Sequence, residues 1–274
     1  MISPDLLTGV DCQLPTPTGA RIRGIGTVRH RASITGGHLV QASAMVRVVD
    51  GAATHRLPWS HYLADPGRVE TVGRPAWPDL ADGFIGPAPA GPALDLASIN
   101  GRVMDQIQSA PPVDRGLALR TARARLRWVL SNPDEADAAG ADVSMEFAAN
   151  GTRERTLVLR YPTRQADAVR DFCEDLALHE WLLSTILQLL DRCRIGSGLP
   201  ALAAEVLRPA VDHLLHLWMP HARREPDLSA LWSCLERQLG LSRQWQASAD
   251  RVRDQLAAGT FVLLTAALAE KERQ

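Results

Sequence analysis

The hydrophobic period of this chain changes once, near Pro162-Thr163, and that change sets its fold class. Ahead of it, apolar residues alternate with polar ones in short runs, the period of a half-buried strand. After it they recur at three- and four-residue spacing, the period of one helix face. Strands followed by helices predict an α+β chain: an antiparallel β-sheet N-terminal half, then a C-terminal helical bundle.

Residues 20–49 read as a long β-hairpin. Ile22, Val28, Ala32 and Ile34 share one parity and Arg21, Arg23, Arg29 and Arg31 the other. Thr35-Gly36-Gly37-His38 is the turn, because Gly-Gly supplies the positive φ angles a tight hairpin needs. Val40, Ala42, Ala44, Val46 and Val48 form the apolar face of the return strand, and residues 68–73 suggest a third strand. The Pro, Gly and Ala density of residues 74–94 predicts a linker. A short amphipathic helix is expected over 95–109, with Asp95 near its start. A second β unit follows, with Arg123, Arg125 and Arg127 alternating against Leu126, Trp128 and Leu130, an acidic loop over 132–142, then a turn at Asn150-Gly151 and a return strand from Thr156 to Tyr161. Four helices are expected beyond it, the first on a stripe of Val169, Phe172, Cys173, Leu176, Leu183, Leu187 and Leu190, and the second running to Met219 with a kink at Pro209. The expected organisation is a hairpin-rich region with its linker over 1–94, a helix and small β unit over 95–162, and a four-helix bundle over 163–274.

Lysine usage excludes several activities. Lys and Arg total 30, yet Lys271 is the only lysine. A GxxxxGK[ST] phosphate loop, a kinase-type lysine and a pyridoxal-phosphate lysine are therefore absent from this sequence. No GxSxG elbow, HExxH helix or zinc-finger spacing occurs either, and Gly24-Ile25-Gly26 lies inside a strand pattern, where close packing explains it. The net charge of −1 gives no bulk attraction to nucleic acid or membrane. The first residues lack a basic stretch followed by an apolar one, and the apolar run Phe261 to Ala269 is far shorter than the roughly 20 residues of a spanning helix. A cytoplasmic location with no membrane partner is the expectation. Cys12, Cys173, Cys193 and Cys234 show no CxxC pairing and read as buried free thiols.

Four constellations carry candidate chemistry. His213 and His216, three apart beside Asp212 and near His221, can share a metal if they lie on one helix, and His179 can face them across the bundle. Hydrogen-bonded core histidines are the plainer reading. Arg123, Arg125 and Arg127, with the four arginines of the first hairpin, suggest an anion-binding sheet face. A solvated face paired with acids competes with that reading, since no aromatics interleave as base stacking requires. His55, His61 and Asp65 crowd one short segment with Ser60 and Tyr62, either for acid–base chemistry or as a Pro-Trp loop anchoring the hairpin. The segment Phe261 to Ala269 is apolar nearly all round, so it is either central to the bundle, slightly the favoured option, or covered by another chain.

The segments LTGVDCQLPTPTGARIRGIGTV, RLPWSHYLADPG, LALHEWLLSTIL and RPAVDHLLHLWMPH resemble an uncharacterised actinobacterial protein family. The resemblance covers most of the chain and implies a setting rather than an activity: gene neighbourhoods that also encode a variant P-loop protein and a methyltransferase-like protein. It implies no catalytic residues or cofactor. It also implies an upstream segment, which leaves the first edge strand open.

The sequence leads first to a non-enzymatic interaction subunit of a small multi-protein system, with a variant P-loop protein among the candidate partners. The alternative is a metal- or anion-dependent hydrolase acting on a phosphorylated or nucleic-acid substrate. Nucleic-acid binding by the sheet face without chemistry is a third, less favoured reading.

Overall fold

The structure is a computed structural model that describes residues 1–51, 53–87, 91–110, 121–131, 144–151, 153–161, 166–193, 200–220 and 228–273. Two compact units emerge, Met1–Arg115 with Arg125–Ala166, and Gly116–Ala124 with Asp167–Gln274. The chain is α+β, as the change of period predicts.

In the first unit, β1 (Leu6–Gln13), β2 (Arg23–Thr35), β3 (Leu39–Met45), β4 (Arg47–Asp50) and β5 (Arg68–Val72) form one sheet. The 13-residue β2 is the spine. Antiparallel β1 covers one edge over Arg23–His30, while β5 and β3 share the other over Arg23–Gly26 and Arg29–Thr35. The β2–β3 hairpin turns through Gly36 and Gly37 at φ 60° and 80°, as their sequence predicts. The return strand is not continuous. It leaves β2 at Met45, and β4 then runs parallel to β5. The first edge strand, β1, is eight residues long.

Strand β2 approaches its neighbours closely because Gly24 and Gly26 carry no side chain. A Cβ on Gly24 meets Leu14 Cδ2 at 2.5 Å, and one on Gly26 meets the Arg68 carbonyl oxygen at 2.0 Å. Close packing is the role of this GxG. Helices α1 (Trp59–Leu63), α2 (Trp77–Ile85) and α3 (Leu96–Ser109) belong to the same unit. Helix α2 lies inside the segment read as a linker. Pro78 is tolerated in its first turn, where its missing N–H costs nothing, and Leu80 is buried. Gly83 lets the helix rest on the backbone at Pro15, so the glycine density reports packing there rather than slack chain. Asp95 caps α3 by accepting from the Ala97 N–H at 3.0 Å. Leu80 and Ile99 join Val10, Leu14, Val28, Val69 and Leu94 in one buried cluster.

A three-stranded sheet, β6 (Arg125–Ser131), β7 (Ser144–Asn150) and β8 (Glu154–Arg160), completes the first unit in the order β6-β8-β7. β7 and β8 form the expected antiparallel hairpin, while β6 and β8 run parallel. Residues 132–142, which read as an acidic loop, and Pro162-Thr163 lie outside the described residues.

The second unit is helical: α4 (Ala166–Arg192), α5 (Pro200–His213), a 3₁₀ turn at Leu215–Leu217, α6 (Ser229–Leu239) and α7 (Leu241–Lys271). The predicted α4 stripe is buried except for Leu187, which is exposed. Aromatic rings knit the helices together. Phe172 of α4 meets Trp232 of α6 edge-on at 6.2 Å, and Trp218 stacks on Trp245 of α7 at 4.4 Å. Gly240, at φ 60°, closes α6, and the Glu236 carboxylate accepts from the Ser242 N–H at 3.0 Å, holding the start of α7.

Candidate functional site

The histidines come first. Helix α5 ends at His213, and His216 sits exposed in the 3₁₀ turn that follows, so the two do not lie on one continuous α-helix. His179 is deeply buried on α4. Its Nδ1 donates to the Asp175 carbonyl at 2.6 Å, and its ring lies edge-on to Trp218 at 4.9 Å and Trp232 at 5.9 Å. Those are the surroundings of a core histidine. His221 lies outside the described residues, and among the described residues no three His, Cys, Asp or Glu side chains gather to hold a metal.

The arginines do not form one open basic face. Arg23 grips Asp11 with two bonds, at 2.7 and 2.9 Å, and Arg29 pairs with Asp5. The hydrogen bond from Arg23 holds the Asp11 carboxyl below its usual range, against an opposing push from burial. In the second sheet, Arg125 and Arg127 do lie on the side opposite Trp128, with Glu154 Oε1 about 4 Å from each (4.0 and 3.9 Å). Only 14% of the Arg127 side chain is exposed, and it donates to the Gly86 carbonyl at the end of α2. It fastens a helix end that would otherwise leave carbonyls unsatisfied. Arg123 is exposed ahead of β6, outside the strand. These three side chains therefore have three different environments and do not converge on one anion.

The loop constellation is partly assembled, around a residue the sequence reading did not select. His61 Nε2 donates to Glu70 Oε1 at 2.9 Å, and Arg68 reaches the same oxygen at 3.4 Å and Asp65 at 3.2 Å. Glu70 is the hub: its side chain is 9% exposed, mid-strand in β5, opposite Ile25 of β2. An acid at an inward-facing strand position was the available signal. His55 is exposed and outside this set. The segment also anchors. Trp59 lies 3.4 Å from where a Cβ on Gly9 would sit, Arg56 stacks over the Trp59 ring, and the Leu57 N–H donates to the Tyr62 hydroxyl at 3.0 Å. Nearby, Asp11, Cys12, Gln13, Arg21, Arg23 and Pro92 line a depression of about 470 Å³. Burial, aided by Asp11, pushes the Cys12 thiol up, which keeps it protonated and poorly nucleophilic at neutral pH. All four cysteines are free; Cys173 and Cys193 are buried, while Cys12 and Cys234 are half-buried.

The remaining feature is the far end of α7. Its buried stripe, Leu241, Trp245, Ser248, Ala249 and Val252, stops at Val252, and Gly259 is the one buried residue beyond. Phe261, Val262, Leu263, Leu264 and Leu268 are all exposed, Phe261 at 72%. The expectation that this segment is central to the bundle is thus corrected. Helices α5 and α7 pack together, but 31 residues rising 1.5 Å each make α7 roughly 46 Å long, about two and a half times the roughly 18 Å of its buried stretch Leu241–Val252. No protein-family model, curated protein or solved structure matches this chain.

Proposed function

We propose that this protein is a non-enzymatic interaction subunit that holds a protein partner through the exposed half of α7. One observation carries this reading: five large apolar side chains, Phe261, Val262, Leu263, Leu264 and Leu268, are exposed within eight residues of one helix. Contiguous apolar surface of this kind marks an interaction site in folded proteins. Covering a fully exposed large apolar side chain contributes about 1.5–3 kcal/mol; these five are about half to three-quarters exposed, so together they supply roughly 4–9 kcal/mol before the cost of association. That cost is about 4–15 kcal/mol, which fits a specific contact of moderate affinity rather than a permanent one. The paired arginines and the locked His179 ring support this reading over the hydrolase, since neither is left poised for substrate. The resemblance supplies a setting, a small multi-protein system, with a variant P-loop protein as one candidate partner. A cytoplasmic location belongs to the same proposal.

A membrane is the competing cover. By length and composition α7 can cross one. Its uncharged stretch, however, runs only from Gln255 to Ala269, 15 residues or roughly 22 Å, against about 30 Å of hydrocarbon. The test compares wild type with a Leu264→Glu, Leu268→Glu variant by light scattering after gel filtration and by flotation with neutral phosphatidylcholine vesicles. The proposal expects a change in protein assembly and no flotation. Identical assembly of the two proteins both when pure and in the presence of cell extract, or vesicle binding by wild type alone, refutes it.

A further inference from the structure

The partner of this surface can be read from its own sequence; the inference rests on the interaction reading above. We infer that the exposed half of α7 pairs antiparallel with the same segment of a second copy of the chain.

The first observation is a seam. Ala257, Phe261, Leu264 and Leu268 are spaced four, three and four residues apart, the spacing of one coiled-coil face. The three large members are the most exposed apolar residues of this segment: Phe261 72%, Leu264 59% and Leu268 64%, against 49% for Val262 and 50% for Leu263, which lie off the seam. Gly259, the one buried residue here, sits roughly 170° round the helix from the seam. Whatever covers Gly259 therefore leaves the seam open.

The second observation is charge, and it selects the occupant and its direction. Continuing the same spacing outward places Asp254 at one end of the seam and Lys271 at the other. With a second copy running antiparallel, Ala257 faces Leu268 and Phe261 faces Leu264, so small meets large at the ends and two large groups meet near the two-fold axis. The same register sets Asp254 against Lys271 at both ends. A parallel pair instead stacks Asp254 on Asp254 and Lys271 on Lys271, with each Phe261 against its twin. The segment is complementary to itself only when reversed. About two and a half heptads is short for a coiled coil, so a dimer that dissociates in the micromolar range is expected.

Sedimentation equilibrium of the full chain tests this. Wild type is expected to shift from the 29.8 kDa chain mass to twice that value as concentration rises through the micromolar range. Asp254→Lys alone should weaken the dimer roughly five- to tenfold, because two attractive contacts become repulsive, and Lys271→Asp alone should do the same. The double variant should recover most of the wild-type affinity. Leu264→Glu should abolish the dimer while its circular dichroism stays native, since Leu264 is exposed in the monomer. A wild type that stays monomeric, or an Asp254→Lys defect that Lys271→Asp does not repair, overturns the antiparallel second copy. The broader reading fails separately: a monomer that binds another protein through Leu264 keeps the interaction subunit and loses only this occupant, whereas a monomer that floats with neutral vesicles loses both.

Discussion

Replacing Gly26 with alanine puts the packing of the first sheet to a direct test. The new Cβ would lie 2.0 Å from the Arg68 carbonyl oxygen and 2.8 Å from Val69 Cα, where a relaxed contact is roughly 3.5 Å. Both atoms belong to the backbone, so no side chain can swing aside. β2 and β5 must separate by more than about 1 Å across a ladder of only four residue pairs, Arg23–Gly26 with Val69–Val72. Overpacking of this kind costs about 1–3 kcal/mol, and losing two ladder hydrogen bonds adds about 2. The expected loss is thus about 3–5 kcal/mol from a total of roughly 5–15. Glu70 and Arg68 ride on β5, so their bonds to His61 and Asp65 should loosen as well. Gly101 is the control. It lies within α3 with open space where a Cβ would go, so Gly101→Ala should stabilise by up to about 1 kcal/mol. Urea unfolding followed by circular dichroism measures both. A Gly26→Ala midpoint equal to or above wild type refutes the close-approach argument.

Other substitutions probe the remaining features. Glu70→Gln removes the charge that His61 and Arg68 share and should cost about 1–3 kcal/mol in the same urea assay, whereas His61→Gln, at a 39% exposed side chain, should cost less; equal losses contradict the hub role. Burial pushes the His30 pKa down, opposed by Asp5, while its Nε2 is hydrogen-bonded to Thr8. The unfolded chain, with an ordinary histidine pKa of about 6.5, takes up that proton first, so this contribution is intact above that pH and declines as pH falls toward the lower folded value. His30→Gln should therefore lose less stability than wild type between neutral and mildly acidic pH, and parallel curves count against it. Burial also raises the Cys173 and Cys193 thiols, so a thiol reagent at mildly alkaline pH should label half-buried Cys234 first and these two only on unfolding. Early labelling of Cys173 contradicts the packing of α4.

Much of the fold was legible because periodicity reports which face is buried. The β2–β3 turn, the Asp95 cap and the α6 stop at Gly240 each follow from one residue's conformational or hydrogen-bonding chemistry. Helix α2 was hidden because Pro78 and Gly83 read as loop-forming, although one occupies a first turn and the other a tight contact with Pro15. The break at Val46 that sends β4 to β5 leaves no mark in an alternating pattern, since parity survives the change of partner. Among the candidate sites, arginine parity was readable in β6 but its pairing was not: Asp5 and Asp11 are distant in sequence from Arg29 and Arg23. The metal geometry depended on α5 running past His216, and the helix ends three residues earlier. Apolarity all round α7 tilted the sequence reading slightly toward the bundle core; only the extent of its buried stripe separates core from interface.

The account stands on whether the exposed half of α7 is covered by protein in solution. Hydrogen exchange followed by mass spectrometry, at low and high micromolar protein, reads this without mutation. A helix end that projects alone frays and exchanges quickly, whereas one held against a partner is protected. The account predicts that peptides spanning Ala257–Ala269 gain protection as concentration rises, while those spanning Leu241–Val252 stay equally protected throughout. Rapid exchange over Ala257–Ala269 at every concentration contradicts it.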